Sequence, residues 1–202
     1  QAFAGHHRAE VLRLLEGCPA VRASHDDATP EHVEEARACG CTIAEFPTTV
    51  EAAIAARAAG MGVVMGAPNL VIGGSHSGNV SAAELAERGL LDAFSSDYVP
   101  ASLLHAAFIL REGYGAPMNE AIAPVTRNPA RLLGLVDRGR IAAGRAADHG
   151  LFVGIGKDQV GPLAPQFQND LFSVSAAAFV IAIPARVDPV KLIMSTSLCV
   201  ES

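Results

Sequence analysis

Four times between residues 20 and 111 a short apolar run gives way to a small polar turn and then to a helical pattern. This repetition constrains the fold more than any other feature. Parallel strands need a long crossover between them, and a helix is the usual one. The first run is Ala20 to Ala23. Thr29 then offers an N-cap, Pro30 takes the first helical position, and the helix runs to about Cys39, where Gly40 ends it. Cys41 to Phe46 is the second strand. Thr48 or Thr49 caps the next helix, whose apolar face is read as Val50, Ala53, Ile54 and Ala58, and Gly60 stops it. Met61 to Gly66 reads as a buried strand, followed by a Gly-rich loop and a helix from Ser81 to Arg88. Leu90 to Phe94 and a helix from Ala101 to Arg111 close the series. The fold class is α/β with a parallel sheet and right-handed crossovers.

The pattern changes after residue 115. Met118 to Leu135 reads as two short helices, with Pro124 kinking or shortening the first and Asn128-Pro129 opening the second. Asp137 to Asp148 reads as a hairpin. At the other end, Ala9, Val11, Leu12, Leu14 and Leu15 are spaced for one helix face, and the chain opens inside that pattern without a Met. Upstream sequence is the expectation.

Half of the 202 residues are hydrophobic, many of them Ala, and only 5% are aromatic, which suits Ala-rich helices packed on Val/Ile/Leu strands. A formal charge of −6 argues against a nucleic-acid surface but not against an anionic substrate, because a bound metal can dominate the local field. Cys18, Cys39, Cys41 and Cys199 contain no C-x-x-C pair and are read as reduced thiols of a cytoplasmic protein. The apolar stretch Val174 to Ile183 is short for a bilayer, so no membrane partner is expected.

The chemistry lies where strands give way to loops. His25 follows the first strand and precedes two aspartates. A neutral imidazole there can ligate a metal while a carboxylate orients its other N–H; alternatively, Asp26 or Asp27 simply caps the next helix. Asp97 follows Ser95-Ser96 after the fourth strand, where a carboxylate can bind metal and accept a proton from water, or serve as a cap or turn. His76 sits in Gly73-Gly74-Ser75-His76-Ser77-Gly78-Asn79, a loop of small residues whose backbone N–H groups suit a phosphate, or a plain flexible turn. Glu45 ends its strand as a ligand, a base or a salt-bridge partner. A His, a His and an Asp on three βα loops converge if their strands are parallel and adjacent, and metal-assisted hydrolysis is the reaction class that uses such a set.

These strings resemble a known family. Ala-Ser-His-Asp-Asp at 23–27, Ile-Ala-Glu-Phe-Pro-Thr-Thr at 43–49, Met-Gly-Ala-Pro-Asn at 65–69, the 73–79 loop and Phe-Ser-Ser-Asp-Tyr at 94–98 are similar, in order and spacing, to the PhnM-type diphosphatases of bacterial phosphonate catabolism, a branch of the amidohydrolase superfamily. The resemblance runs from about Gly5 to Asp148. It implies a (β/α)8 TIM-barrel metal-dependent hydrolase with a flanking β-sandwich, of which residues 1–136 supply the C-terminal half, strands five to eight. Residues 137–148 would begin the return to the sandwich. It implies hydrolysis of alpha-D-ribose 1-methylphosphonate 5-triphosphate to the 5-phosphate and pyrophosphate. By the same resemblance His25 and His76 are metal ligands, and Asp97 is both ligand and catalytic residue. Asn69, Ser75, Ser77 and Asn79 contact the triphosphate, and the cofactor is a divalent zinc, manganese or iron.

Two departures qualify what the resemblance implies. The superfamily's first-strand His-x-His motif and strands one to four are absent, so the chain alone lacks ligands and exposes strand edges through which copies can associate. Residues 149–202 depart from the family from His149-Gly150-Leu151 onward and are read as a divergent tail, whether frame-shifted, fused or disordered. Besides the diphosphatase reading, a different amidohydrolase acting on a C–N bond (opening a cyclic amide or deaminating a base) and a non-catalytic α/β module remain open. The 73–79 loop discriminates, since it suits phosphate better than a ring amide.

Overall fold

The structure is a computed structural model, and it describes residues 2–75 and 77–146. The readings placed on His76 and on the tail at 149–202 lie outside the described residues. The described residues fall into two compact units. The first holds the chain through Met65 together with Ser75–Leu91, and the second holds Gly66–Gly74 and the chain from Asp92 onward.

The first unit opens with α1 (Ala2–Leu14) and then alternates β1 (Ala23–His25), α2 (Pro30–Ala38), β2 (Ile43–Glu45), α3 (Val50–Ala58), β3 (Gly62–Gly66, ending at the unit boundary) and α5 (Ala82–Glu87). The strands are parallel. Ala23, Ser24 and His25 pair with Ile43, Ala44 and Glu45, and Ile43, Ala44 and Glu45 with Gly62, Val63 and Val64. The helix starts follow the sequence signals. Thr29 accepts the His32 N–H at 3.3 Å, Thr49 the Ala52 N–H at 3.1 Å and Ser81 the Glu84 N–H at 3.0 Å. Val33, Val63 and Leu85 are completely buried, each contributing about 1.5–3 kcal/mol of transfer free energy.

Three sequence expectations shift here. β1 begins at Ala23, so His25 is the last strand residue rather than a residue beyond the strand. α3 buries Ala52, Ala53 and Ala56 and leaves Ile54 exposed, because in so apolar a helix periodicity does not choose a face, and the elements packed on it do. In α1, Val11 and Leu14 are exposed while Leu12 and, just beyond the helix, Leu15 are half-buried, so only part of the expected stripe is covered among the described residues.

The second unit comprises α4 (Ala67–Val71), β4 (Ala93–Ser95), α6 (Ser102–Tyr114), α7 (Met118–Ala121), a 3-10 turn at Ala123–Val125 and α8 (Arg127–Leu132). The loop expected straight after β3 is preceded by α4. Helix α6 buries Leu103, Ala106, Ala107 and Leu110, one stripe at helical spacing, and packs on α4 and α7. Pro124 breaks the helical path as expected, confining it to the 3-10 turn. Asn128 donates to the Asp92 carbonyl at 2.7 Å and Arg131 reaches the Asp92 carboxylate at 3.4 Å, tying α8 to the residue before β4. The hairpin expected at 137–148 is absent from residues 137–146. A set of turns stands there, closed by the Ala146 N–H on the Asp137 carbonyl at 2.8 Å. Gly139, at φ of 86°, lies against Ala130 where a strand would need extended backbone, and Ile141 is left 90% exposed.

Thr49 joins two loops as well as capping α3, because its hydroxyl donates to the Ala28 carbonyl at 2.8 Å. Thr49→Ala is expected to cost about 1–2 kcal/mol in urea unfolding and Thr49→Ser less than half of that. Equal losses in the two variants would show that the methyl group, rather than the hydroxyl, stabilises this corner.

Candidate active site at the strand ends

The parallel ladder does not stop at the last strand residues. The Asp26 N–H donates to the Glu45 carbonyl at 3.0 Å, and the Phe46 N–H to the Val64 carbonyl at 2.8 Å. At those same residues the chain turns left-handed, with φ of 59° at Asp26 and 54° at Phe46. Asp97, two residues past β4, has φ of 49°. They are the non-glycine residues with positive φ among those described. Such a conformation costs roughly 1–2 kcal/mol per residue; aspartate tolerates it, and for a bulky phenylalanine it is an outlier. Pro47 disfavours the right-handed helical region for Phe46 and is itself completely buried. Backbone strain of this kind clusters at functional sites.

The strain has visible products. His25 Nδ1 lies 3.0 Å from Asp26 Oδ2, and the Phe46 ring meets the imidazole edge-on, with centroids 5.2 Å apart and planes at 71°. Register places His25 and the buried Glu45 side by side on one face of the sheet. Asp27 has a different task. It is 2% exposed, and its carboxylate accepts the Ser24 hydroxyl at 2.5 Å. Burial raises its pKa above the usual carboxylate value, and the Ser24 hydrogen bond opposes that shift. The alternative in which Asp26 or Asp27 caps α2 is therefore overturned, since Thr29 is the cap.

In the second unit, Asp97 is exposed, and its N–H donates to the Ser95 hydroxyl at 3.2 Å. Asn69 lies half-buried in α4, and its carbonyl accepts the Gly74 N–H at 2.9 Å. In the first unit, Ser75 accepts the Ser77 N–H at 3.2 Å, so that amide serves the turn itself; Ser77 and Asn79 are exposed. Of the residues singled out in the sequence, the structure brings His25 and Glu45 together.

Sequence reasoning missed Phe46. The proline after it was the one available signal of an unusual backbone at that position.

A family model described as the amidohydrolase family matches residues 4–152, well over half of the chain. The chain belongs to the amidohydrolase family. Within it, the alpha-D-ribose 1-methylphosphonate 5-triphosphate diphosphatase of Escherichia coli strain K12 is 54% identical over 144 residues, covering 70% of this chain and 38% of that protein. The chain thus spans well under half the length of that relative, and the resemblance to the diphosphatases of phosphonate catabolism is confirmed at the level of sequence similarity. No solved structure matches it. Amidohydrolases generally use divalent metals. The donor chemistry here suits one, because a neutral imidazole nitrogen and carboxylate oxygens both ligate such cations. Yet no group of three His, Cys, Asp or Glu side chains able to hold a metal occurs among the described residues, so they do not by themselves close a site. No helix among them is long and apolar enough to cross a membrane.

Removing the Ser24 hydroxyl isolates a buried carboxylate. Ser24→Ala is expected to lower unfolding free energy by about 1–3 kcal/mol, read by urea denaturation at neutral pH. A change under about 0.5 kcal/mol would mean that Asp27 is satisfied without Ser24.

Proposed function

We propose that this chain carries part of the site of a metal-dependent diphosphatase. The substrate on this reading is alpha-D-ribose 1-methylphosphonate 5-triphosphate, cleaved to the 5-phosphate and pyrophosphate. The observation that carries the reading is the 54% identity over 144 residues to a protein of that name. The left-handed strand ends at Asp26, Phe46 and Asp97 support it physically, because strained backbone is retained where side chains must be aimed.

On this proposal residues 1–136 are strands five to eight of a (β/α)8 barrel with their helices, and 137–148 lead toward a β-sandwich. His25, His76 and Asp97 are this chain's metal ligands, with Glu45 a further ligand or base. The cation is divalent zinc, manganese or iron, each of which takes oxygen and nitrogen donors. The metal, when bound, supplies positive charge for the anhydride oxygens. The chain's own residues do the rest. Asp97 takes the proton of the attacking water as its oxygen bonds to phosphorus and the anhydride P–O bond breaks, and pyrophosphate leaves. Asn69, Ser75, Ser77 and Asn79 hold the triphosphate. The 73–79 loop, with left-handed glycines at Gly73 and Gly78, suits phosphate oxygens rather than a ring amide. We place the protein in the cytoplasm, with a small phosphorylated molecule as its ligand and neither nucleic acid nor membrane as its partner. Copies associate through strand edges, since β1 pairs only with β2 among the described residues.

The test is pyrophosphate release with zinc or manganese present, across the size-exclusion profile. Activity is expected in an associated fraction. It should fall by about 10²-fold or more in His25→Ala and in Asp97→Asn, Asn being chosen because it tolerates the left-handed backbone. Release that is indifferent to both substitutions, or turnover of a cyclic amide instead, would overturn the proposal.

A further inference from the structure

The turn that carries Asp97 holds a second exposed side chain, to which the proposed chemistry gives no task. The Val99 N–H donates to the Ser96 carbonyl at 3.0 Å, so Asp97 and Tyr98 are the two central residues of a tight turn. Asp97, at φ of 49°, gives it the form in which glycine is usual at the first central position. Hydroxyls fasten this turn. Ser95 accepts the Asp97 N–H at 3.2 Å, and Ser96 donates to the Asp97 carbonyl at 3.4 Å. The Ser102 hydroxyl and N–H donate to the Val99 carbonyl at 2.5 and 2.9 Å. All three serines are buried, whereas Tyr98 is 72% exposed, and its hydroxyl has no hydrogen-bond partner among the described residues.

The core of this unit does not use that ring. Phe94 in β4 is buried and Phe108 in α6 is half-buried. The other exposed aromatic, Tyr114, ends α6, about 18 Å along the helix from Ser102. Tyr98 is thus the exposed ring beside the residue that, on the proposed function, takes the proton of the attacking water. In that substrate the phosphorus that keeps the sugar is joined to it through one oxygen and one carbon. The ribose ring is therefore the group next to the breaking anhydride on that side, and it has an uncharged face of C–H bonds. Consecutive Cα atoms are about 3.8 Å apart, so a sugar on a phosphorus held at Asp97 lies within reach of the tyrosine. An aromatic face is the apolar complement such a sugar needs.

We propose that Tyr98 is a substrate-contact residue that takes the sugar ring of the triphosphate on its aromatic face, and so favours a sugar-bearing triphosphate over a bare polyphosphate. This deepens the diphosphatase reading and rests on its placement of Asp97 at the anhydride. Tyr98 neither binds metal nor moves a proton.

The chain has two tyrosines and no tryptophan, so in a Tyr114→Phe chain the ultraviolet emission is that of Tyr98. The two products serve as probes that do not turn over: alpha-D-ribose 1-methylphosphonate 5-phosphate carries the sugar, and inorganic pyrophosphate does not. With zinc present, the sugar product is expected to change the emission saturably and pyrophosphate to leave it unchanged. Tyr98→Ala should weaken binding of the sugar product, read by calorimetry, about 5- to 10-fold. KM for the triphosphate should rise by the same factor, with kcat held within about 2-fold. Tyr98→Phe keeps the ring face and should bind within about 2-fold of the unaltered chain. Pyrophosphate affinity and melting temperature should be unchanged in both variants, since the side chain is exposed. Emission that answers equally to pyrophosphate would overturn the sugar contact. So would a Tyr98→Ala chain that binds the sugar product as tightly as the unaltered one, or an unaltered chain that does not bind it. If pyrophosphate is released from the triphosphate while Tyr98→Ala leaves KM unchanged, the diphosphatase reading stands and the sugar contact fails. If Tyr98 answers to the sugar product while no pyrophosphate is released, the contact stands and the diphosphatase reading fails.

Discussion

The site depends on hydrogen bonds that carry the parallel ladder beyond the strands and into the loops. Asp26 and Phe46 donate to Glu45 and Val64 as further rungs would. The Thr48 N–H then reaches the Asp27 carbonyl at 2.9 Å, and the Val80 N–H reaches the Thr48 carbonyl at 2.9 Å. Each loop of the first unit is thereby tied to the one beside it by main-chain groups that would otherwise need water. Left-handed turns at Asp26 and Phe46 persist because these bonds over-determine the path. Rigid loops of this kind can hold side chains to the tolerance that a reacting site needs.

The three-residue strands make this arrangement more consequential. β1 and β2 are too short for their ladders alone to fix orientation, and the helices beside them bury Val33 and Ala36 of α2 and Ala52, Ala53 and Ala56 of α3. Asp27 adds a polar anchor beneath the first loop. It is buried, held by Ser24 from within the strand, and its carbonyl receives Thr48 from the second loop. The adjacent aspartates therefore divide the work, Asp27 holding the loop and Asp26 facing the imidazole.

The sequence made the alternation of strand and helix legible because its signals are local. Thr29, Thr49 and Ser81 cap helices where their hydroxyls meet free backbone N–H groups, and Gly40, Gly60 and Gly89 end them at positive φ. It misled where the deciding term is tertiary. The buried face of α3, Ala52, Ala53 and Ala56, is set by the elements packed on it, which the Ala-rich pattern does not encode. At 137–146, Gly139 takes positive φ and lies against Ala130 while Ile141 stays exposed, which the alternating Arg138-Gly139-Arg140-Ile141 pattern could not reveal. For the site, the strings containing His25 and Asp97 pointed to strand ends, and that is where the structure places both. The contact of Asp26 with Nδ1 and the grip of Phe46 arise from backbone angles, and only Pro47 hinted at one of them.

On the proposed function, these strand ends present His25 to a cation. Anomalous diffraction at the zinc edge, from crystals of the full chain grown with zinc, tests it most directly. The predicted result is a peak about 2.0–2.1 Å from a ring nitrogen of His25. Zinc bound elsewhere, with both ring nitrogens of His25 bare, would contradict it.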